Sequence, residues 1–135
     1  KVNEIEPLSG AFIVSSPIMI NGELFSGGGV SGVGNLISIK NIDATDTPYE
    51  FQETEVIVFA DPSNGAITIN LPNPVNFQGK WHIIKDPSGN CSAINKITLS
   101  GIANGTTVDG LNVFDMTFGF SSATIVSNGG GWFII

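Results

Sequence analysis

The 135-residue chain has no arginine, one histidine and one cysteine, and only 13% of its residues are charged. Nucleic-acid binding needs lysine and arginine to release the counterions of the phosphate backbone, and five lysines in a chain of net charge −7 argue against it. The same charge argues against an anionic membrane surface. A single cysteine excludes an internal disulfide. Because no apolar run approaches roughly 20 residues, we expect no insertion into a membrane.

The scarcity of histidine and cysteine also limits catalysis and metal binding. A catalytic triad needs a nucleophile, a base and an orienting acid, yet the lone histidine, His82, stands inside an apolar segment. Zinc needs three or four nitrogen or sulfur ligands, and only His82 and Cys91 are present. Asp86, Ser88 and Asn90 alternate as in a calcium loop, but the glycine and distal glutamate are missing, which favours a turn. We therefore predict a protein that is not an enzyme and has no cofactor or metal.

Isoleucine, valine and glycine are abundant. Isoleucine and valine together number 28, against 13 for leucine and alanine, and this balance favours strands over helices. Short alternating or apolar segments are separated by Asn-Gly, Asp-Gly and Asp-Pro-Ser turns. About nine such segments predict an all-β fold, an antiparallel β-sandwich or jelly roll. The predicted strands are 12–20, 36–42, 55–60, 66–71, 81–85, 94–100, 113–120, 123–127 and 132–135.

The composition changes near residue 35. The run 26–34 is rich in glycine and serine and predicts a linker or a long loop. We therefore divide the chain into an N-terminal arm, residues 1–34, and a β-sandwich domain, residues 35–135. Because the chain does not begin with methionine, we expect it to be a fragment of a longer protein.

A weak internal similarity relates two segments 25 residues apart. Residues 56–60 and 81–85 are both apolar runs, and each is followed by an Asp-Pro-Ser turn. Because the periodicity does not continue along the chain, we interpret the pair as two hairpins that share turn chemistry, and not as a solenoid.

Hydropathy points to self-association. The mean hydropathy is +0.26, and a monomeric domain with so few charges would expose apolar patches or unprotected strand edges. Contact between copies of the chain would cover these surfaces, and symmetric assembly is the rule for soluble oligomers. Composition alone fits a dimer and a trimer equally.

Three residues are candidates for binding a ligand. Trp81 and Tyr49 offer aromatic faces for stacking on a sugar, and Asp109 offers a carboxylate to hydroxyl groups. The competing interpretation is packing in the core or at an interface, which we favour for Trp132. If the sugar interpretation holds, the chain is a carbohydrate-binding, lectin-like module. A bacterial surface adhesin domain and a small hydrolase are further alternatives.

The second half of the chain resembles tail-fibre and virion-fibre proteins of phages. An apolar strand, an Asp-Pro-Ser turn and the Ile-Thr-Ile-Asn-Leu-Pro segment 67–72 follow one another as in those proteins. Further matching segments extend the resemblance over about residues 55–135, including 79–90, 96–100, 108–110 and 123–135.

The resemblance implies a trimeric β-rich module on the surface of a virus particle. Its role there would be assembly, display or attachment to the host. The implied partners are further copies of the chain, other virion proteins and a glycan or receptor on the host surface, and the implied location is extracellular. The resemblance carries no catalytic motif, and residues 1–54 lie outside it.

Overall fold

The computed structural model describes residues 18–20, 23–25 and 37–135, and the chain divides into two units, residues 1–36 and 37–135. In the first unit, β1 (Ile18–Ile20) pairs with β2 (Glu23–Phe25) in antiparallel orientation. The glycine-rich run 26–34 and the first part of the predicted strand 12–20 lie outside the described residues.

The second unit is built of strands and short 3-10 turns. Residues 37–135 contain no α-helix, and the predicted all-β class is confirmed. The strands are β3 (Ile39–Asp43), β4 (Tyr49–Glu50), β5 (Ile57–Asp61), β6 (Ile67–Asn70), β7 (Trp81–Lys85), β8 (Ile97–Ser100), β9 (Val113–Met116), β10 (Ser122–Ser127) and β11 (Trp132–Ile134). The 3-10 turns are Ala44–Asp46, Pro62–Asn64, Pro74–Phe77 and Ile102–Asn104.

The strands form two mixed sheets. A five-stranded sheet has the order β11-β10-β7-β5-β3, and a four-stranded sheet has the order β4-β6-β8-β9. Strands β3, β5 and β7 are parallel neighbours, as are β4, β6 and β8. The chain therefore alternates between the sheets and winds through three coils. After these coils, β9 pairs with β8, and β10 pairs with both β7 and β11, all in antiparallel orientation.

The prediction of a purely antiparallel sandwich or jelly roll is wrong, because both sheets also contain parallel strand pairs. Turns such as Asp61-Pro62-Ser63 do not reverse the chain within one sheet. They carry it from the five-stranded to the four-stranded sheet, so that successive coils stack in parallel. The residues of such a turn fix its local backbone conformation, but the pairing partner of the next strand depends on contacts distant in sequence.

The similarity between residues 56–60 and 81–85 also arises from this stacking of successive coils. Strands β5 and β7 are parallel neighbours, with Ile57 opposite Ile83. The two similar segments are therefore adjacent coils, and the interpretation as two hairpins is wrong.

The core lies between the two sheets. Alternation turns every second side chain of the central strands inward, so that Val58, Ile69 and Ile84 are fully buried. Trp132 is also fully buried, and its indole Nε1 donates a hydrogen bond of 3.0 Å to the carbonyl oxygen of Pro72. Of the two kinds of packing that we favoured for Trp132, in the core or at an interface, the structure shows packing in the core. The other fully buried large apolar side chains are Ile67, Leu71, Ile97, Leu99, Val108 and Ile125.

Candidate functional site

The outer surface of the five-stranded sheet carries two rows of apolar side chains, which we call the apolar face. In the first row, Ile39, Ile57 and Ile83 stand opposite one another on β3, β5 and β7. This row continues through Thr124 of β10 to Ile135, whose backbone N–H donates to the carbonyl oxygen of Thr124.

The second row of the apolar face contains Trp81, Val126 and Phe133, which pair across β7, β10 and β11. Trp81 is 50% exposed, and in the first row Ile39 is 54% and Ile135 75% exposed. Among residues 37–135, the side chains of the apolar face are therefore half-buried or exposed. Exposed apolar surface of this kind marks a contact site in soluble proteins.

Charged groups flank the apolar face at both ends of its strands. At the end where the turns leave the sheet, Asp43 stands opposite Asp61, and Lys85 of β7 pairs with Phe59, two residues before Asp61. At the other end, the ammonium group of Lys80 forms an ion pair with the carboxylate of Glu53. None of these charged residues belongs to either apolar row.

The outer surface of the four-stranded sheet, which we call the polar face, has the opposite character. Thr98 pairs with Asp115 across β8 and β9, and its hydroxyl donates a hydrogen bond of 2.6 Å to the carboxylate. On the next row the amide of Asn70 donates a hydrogen bond of 2.6 Å to the carboxylate of Glu50, while Val113 is the apolar exception. The polar face satisfies its own hydrogen bonds and is suited to solvent.

Trp81 also borders a shallow depression of about 340 Å³. The other residues that line it include Lys80, Glu53 and Val56. A half-exposed indole beside a carboxylate and an ammonium group is a combination that can stack on a sugar ring and bind its hydroxyls. Of the three predicted ligand-binding residues, Trp81 alone lines this depression.

Tyr49 and Asp109 have local structural contacts instead. The Tyr49 hydroxyl donates to the carboxylate of Glu55, and burial together with this carboxylate raises the pKa of Tyr49. Asp109 adopts a φ of 49° in a tight turn, and its carboxylate accepts a hydrogen bond of 3.2 Å from the N–H of Ile134. The three residues predicted to bind a ligand are therefore not brought together.

His82 is a member of the aromatic core. Its ring packs edge-on against Phe51 at a centroid distance of 4.7 Å, with Phe77 and Trp132 also within 6 Å. Its Nδ1 donates to the carbonyl oxygen of Glu55, and its buried Nε2 has no hydrogen-bond partner among the described residues. Burial lowers the pKa of His82, so the ring is neutral at pH 7.

Asp86 anchors the turn after β7. Its fully buried carboxylate accepts backbone hydrogen bonds from Ser88 and Gly89 on one oxygen, and from Cys91 and Phe120 on the other, all at 2.9–3.0 Å. Burial alone would raise the pKa of Asp86, but these hydrogen bonds together lower it. The carboxylate of the Asp86-x-Ser88-x-Asn90 pattern is thus occupied by the turn itself.

Sequence reasoning did not identify the apolar face, although a signal was present. Residues 56–60 and 81–84 are apolar or aromatic at consecutive positions, and His82 is the sole exception. Such runs are typical of strands that are covered on both faces. Since the core covers only one face of these strands, the apolar side chains on their other face indicated a second contact surface.

In the part of the chain that the structure describes, no three histidine, cysteine or acidic side chains are grouped to hold a metal ion. Within the same residues, no helix has the length and apolar character needed to cross a membrane. No protein-family model matches the chain, and no curated protein sequence matches it. The likeness to phage fibre proteins therefore stays a prediction from the residues quoted above.

Proposed function

We propose that this chain is a non-enzymatic module of a virion surface or fibre, acting in assembly, display or attachment to a host receptor, and that it works as a homotrimer. The observation that carries the proposal is the contrast between its two outer faces. One face satisfies its own polar groups, and the other exposes apolar rows that need a cover. A unit with these faces is suited to be one part of a larger assembly.

The coiled arrangement of the strands supports a mechanical role. Parallel ladders run without a break through β3, β5 and β7 and through β4, β6 and β8. The turn after β7 is held by a buried carboxylate with four backbone hydrogen bonds. Continuous main-chain pairing and a fixed turn give the stiffness that a fibre or spike needs.

The environments of the two buried titratable groups discussed above support a role without catalysis. His82 uses Nδ1 for a backbone contact, and its Nε2 is buried without a hydrogen-bond partner in the part of the chain that the structure describes. Both oxygens of the Asp86 carboxylate accept hydrogen bonds from backbone N–H groups. A general base must reach the proton that it removes, and both groups are committed to the fold.

Two measurements test the proposal: the mass of the protein assembly in solution and the location of the chain on virus particles. Light scattering of the full chain should give about 42 kDa, three copies of 14.1 kDa. Antibodies raised against the chain should label the surface of intact virus particles from the source culture. A 14.1 kDa monomer at micromolar concentration, or particles that stay unlabelled, would contradict the proposal.

A second candidate function is carbohydrate binding, favoured by the half-exposed Trp81 beside the depression. A glycan array should then show binding that is lost in Trp81→Ala and kept in Phe118→Ala, an exposed aromatic residue that does not line the depression. An array without hits, or equal binding by both variants, would remove this candidate. The same surface would serve a bacterial adhesin domain, which labelling of bacterial cells would distinguish from a virion protein.

A further inference from the structure

We infer that the apolar face is the contact between copies of this chain, turned toward the symmetry axis of the assembly, where it meets the same face of other copies. The inference rests on the proposed role in assembly and assigns that role to one surface. Three properties of the face support this orientation: its exposed area, its distribution of charge and its shape.

The area is sufficient for a specific contact. Trp81, Ile39 and Ile135 are each half or more exposed, and Phe133 is more than one-third exposed. Together with the half-buried Ile57, the apolar rows expose on the order of 600 Å² per copy. Stable protein contacts bury roughly 800 Å² per partner, so a face of this size with its rim is close to the standard.

The distribution of charge favours another copy over a charged partner. The two apolar rows contain no acidic or basic side chain, although the chain has a net charge of −7. Contact through this face therefore brings two acidic molecules together without placing their carboxylates against one another. Charged groups flank the rows, the Lys80–Glu53 ion pair at one end and Asp43, Asp61 and Lys85 toward the other, and form a polar rim around an apolar centre. An apolar centre with a polar rim is the usual anatomy of a protein interface.

The face is also a regular pleated surface that can pack against the apolar faces of other copies. Its residues stand on neighbouring strands of one hydrogen-bonded sheet, so the rows repeat at the spacing of the strands. Two pleated sheets pack face to face with interdigitated side chains when both surfaces are apolar. Thr124 lies within the first row between Ile83 and Ile135, where the contact between copies would be close.

A cysteine cross-link tests the orientation. The natural Cys91 is buried, so a cysteine introduced at a partly exposed position reports its own surroundings. Thr124→Cys on the apolar face should give disulfide-linked dimers under mild oxidation, whereas the matched variant Thr98→Cys on the polar face should not. Cross-linking of Thr98→Cys alone, or of neither variant, would overturn the inference.

A charge placed on the face gives a second, independent measurement. Ile83→Lys should weaken association by roughly 100-fold or more, because a lysine would be buried between apolar surfaces, while Thr98→Lys should leave the assembly mass unchanged. Circular dichroism checks that both variants fold. If Ile83→Lys does not fold, the cross-link from Thr124→Cys decides.

The two proposals fail in different ways. An assembly that survives Ile83→Lys and gives no Thr124→Cys cross-link would overturn the assignment of the face but leave the role in assembly intact. An assembly that Ile83→Lys dissociates, in a protein absent from virus particles, would support the assignment and refute the virion role. A monomer at all concentrations would overturn both.

Discussion

Replacing Asp86 with asparagine would change the acceptor that holds the turn between β7 and β8 while keeping the shape of the side chain. The Asp86 carboxylate is fully buried and accepts two backbone N–H groups on each oxygen. In asparagine one of these oxygens becomes an NH₂ group, which is a donor. At least one pair of backbone N–H groups then faces a donor and loses its acceptor.

The magnitude follows from these contacts. A buried N–H group without an acceptor costs about 1–3 kcal/mol, and two of them, after the charge is also lost, give an expected destabilisation of about 3–5 kcal/mol. The matched control is Asp61→Asn in the preceding coil. Asp61 lies in an equivalent Asp-Pro-Ser turn, where its carboxylate accepts from one backbone N–H, that of Ser63, and from the Ser63 hydroxyl. Asparagine caps a turn about as well as aspartate, so we expect Asp61→Asn to cost less than about 1 kcal/mol.

The dependence on pH gives a further check. Backbone hydrogen bonds hold the pKa of Asp86 below its ordinary value of 3.8 in the folded chain. A carboxyl with a lowered folded pKa contributes stability above its unfolded pKa, and this contribution is lost as pH falls through the folded pKa. The difference between the native protein and Asp86→Asn should therefore be largest at neutral pH and should shrink below pH 3.8.

Urea unfolding followed by tryptophan fluorescence measures these differences, since Trp132 is fully buried in the core. All three proteins must be compared at one concentration because self-association shifts apparent stability. The reasoning is refuted if Asp86→Asn falls within 1 kcal/mol of the native protein, or if Asp61→Asn is equally destabilised.

Two more predictions follow from buried contacts. Because burial lowers the pKa of His82, the native chain should lose stability as pH falls below 6.5, and His82→Phe should flatten this loss. Thermal unfolding at pH 7.5 and 5.5 measures it, and an unchanged pH dependence in the variant would contradict it. Gly101→Ala should destabilise by several kcal/mol, since a Cβ would lie 2.0 Å from the backbone carbonyl oxygen of Thr106, whereas Gly105→Ala has open space and should cost about 1 kcal/mol. Equal urea midpoints for the two glycine variants would refute this reasoning.

The local structure of residues 37–135 was largely predictable from the sequence. Alternation in 66–71 predicted a strand, and β6 occupies Ile67–Asn70 with Ile67 and Ile69 facing the core. The segment 81–85 was predicted in full, and Asp-Pro-Ser patterns marked the turns after β5 and β7. These features depend on side-chain period and on residue-specific backbone preferences, which are written in neighbouring residues.

The candidate site was predictable only in part. Trp81 was singled out as an aromatic candidate, and it is half exposed beside a depression. The sequence did not indicate that Tyr49 bonds to Glu55 or that Asp109 supports its own turn, because both contacts depend on how distant strands meet. The contrast between the polar and the apolar face likewise appears only when the strands are assigned to sheets.

Sequence alone determined that this chain is rich in strands, where most of those strands lie and that Trp132 packs in the core or at an interface. Tertiary structure decided that β5 and β7 are parallel neighbours and that the isoleucines of three coils align in one exposed row. The physical reason is that alternation fixes the face to which a side chain points, whereas pairing and register are set by packing among strands distant in sequence.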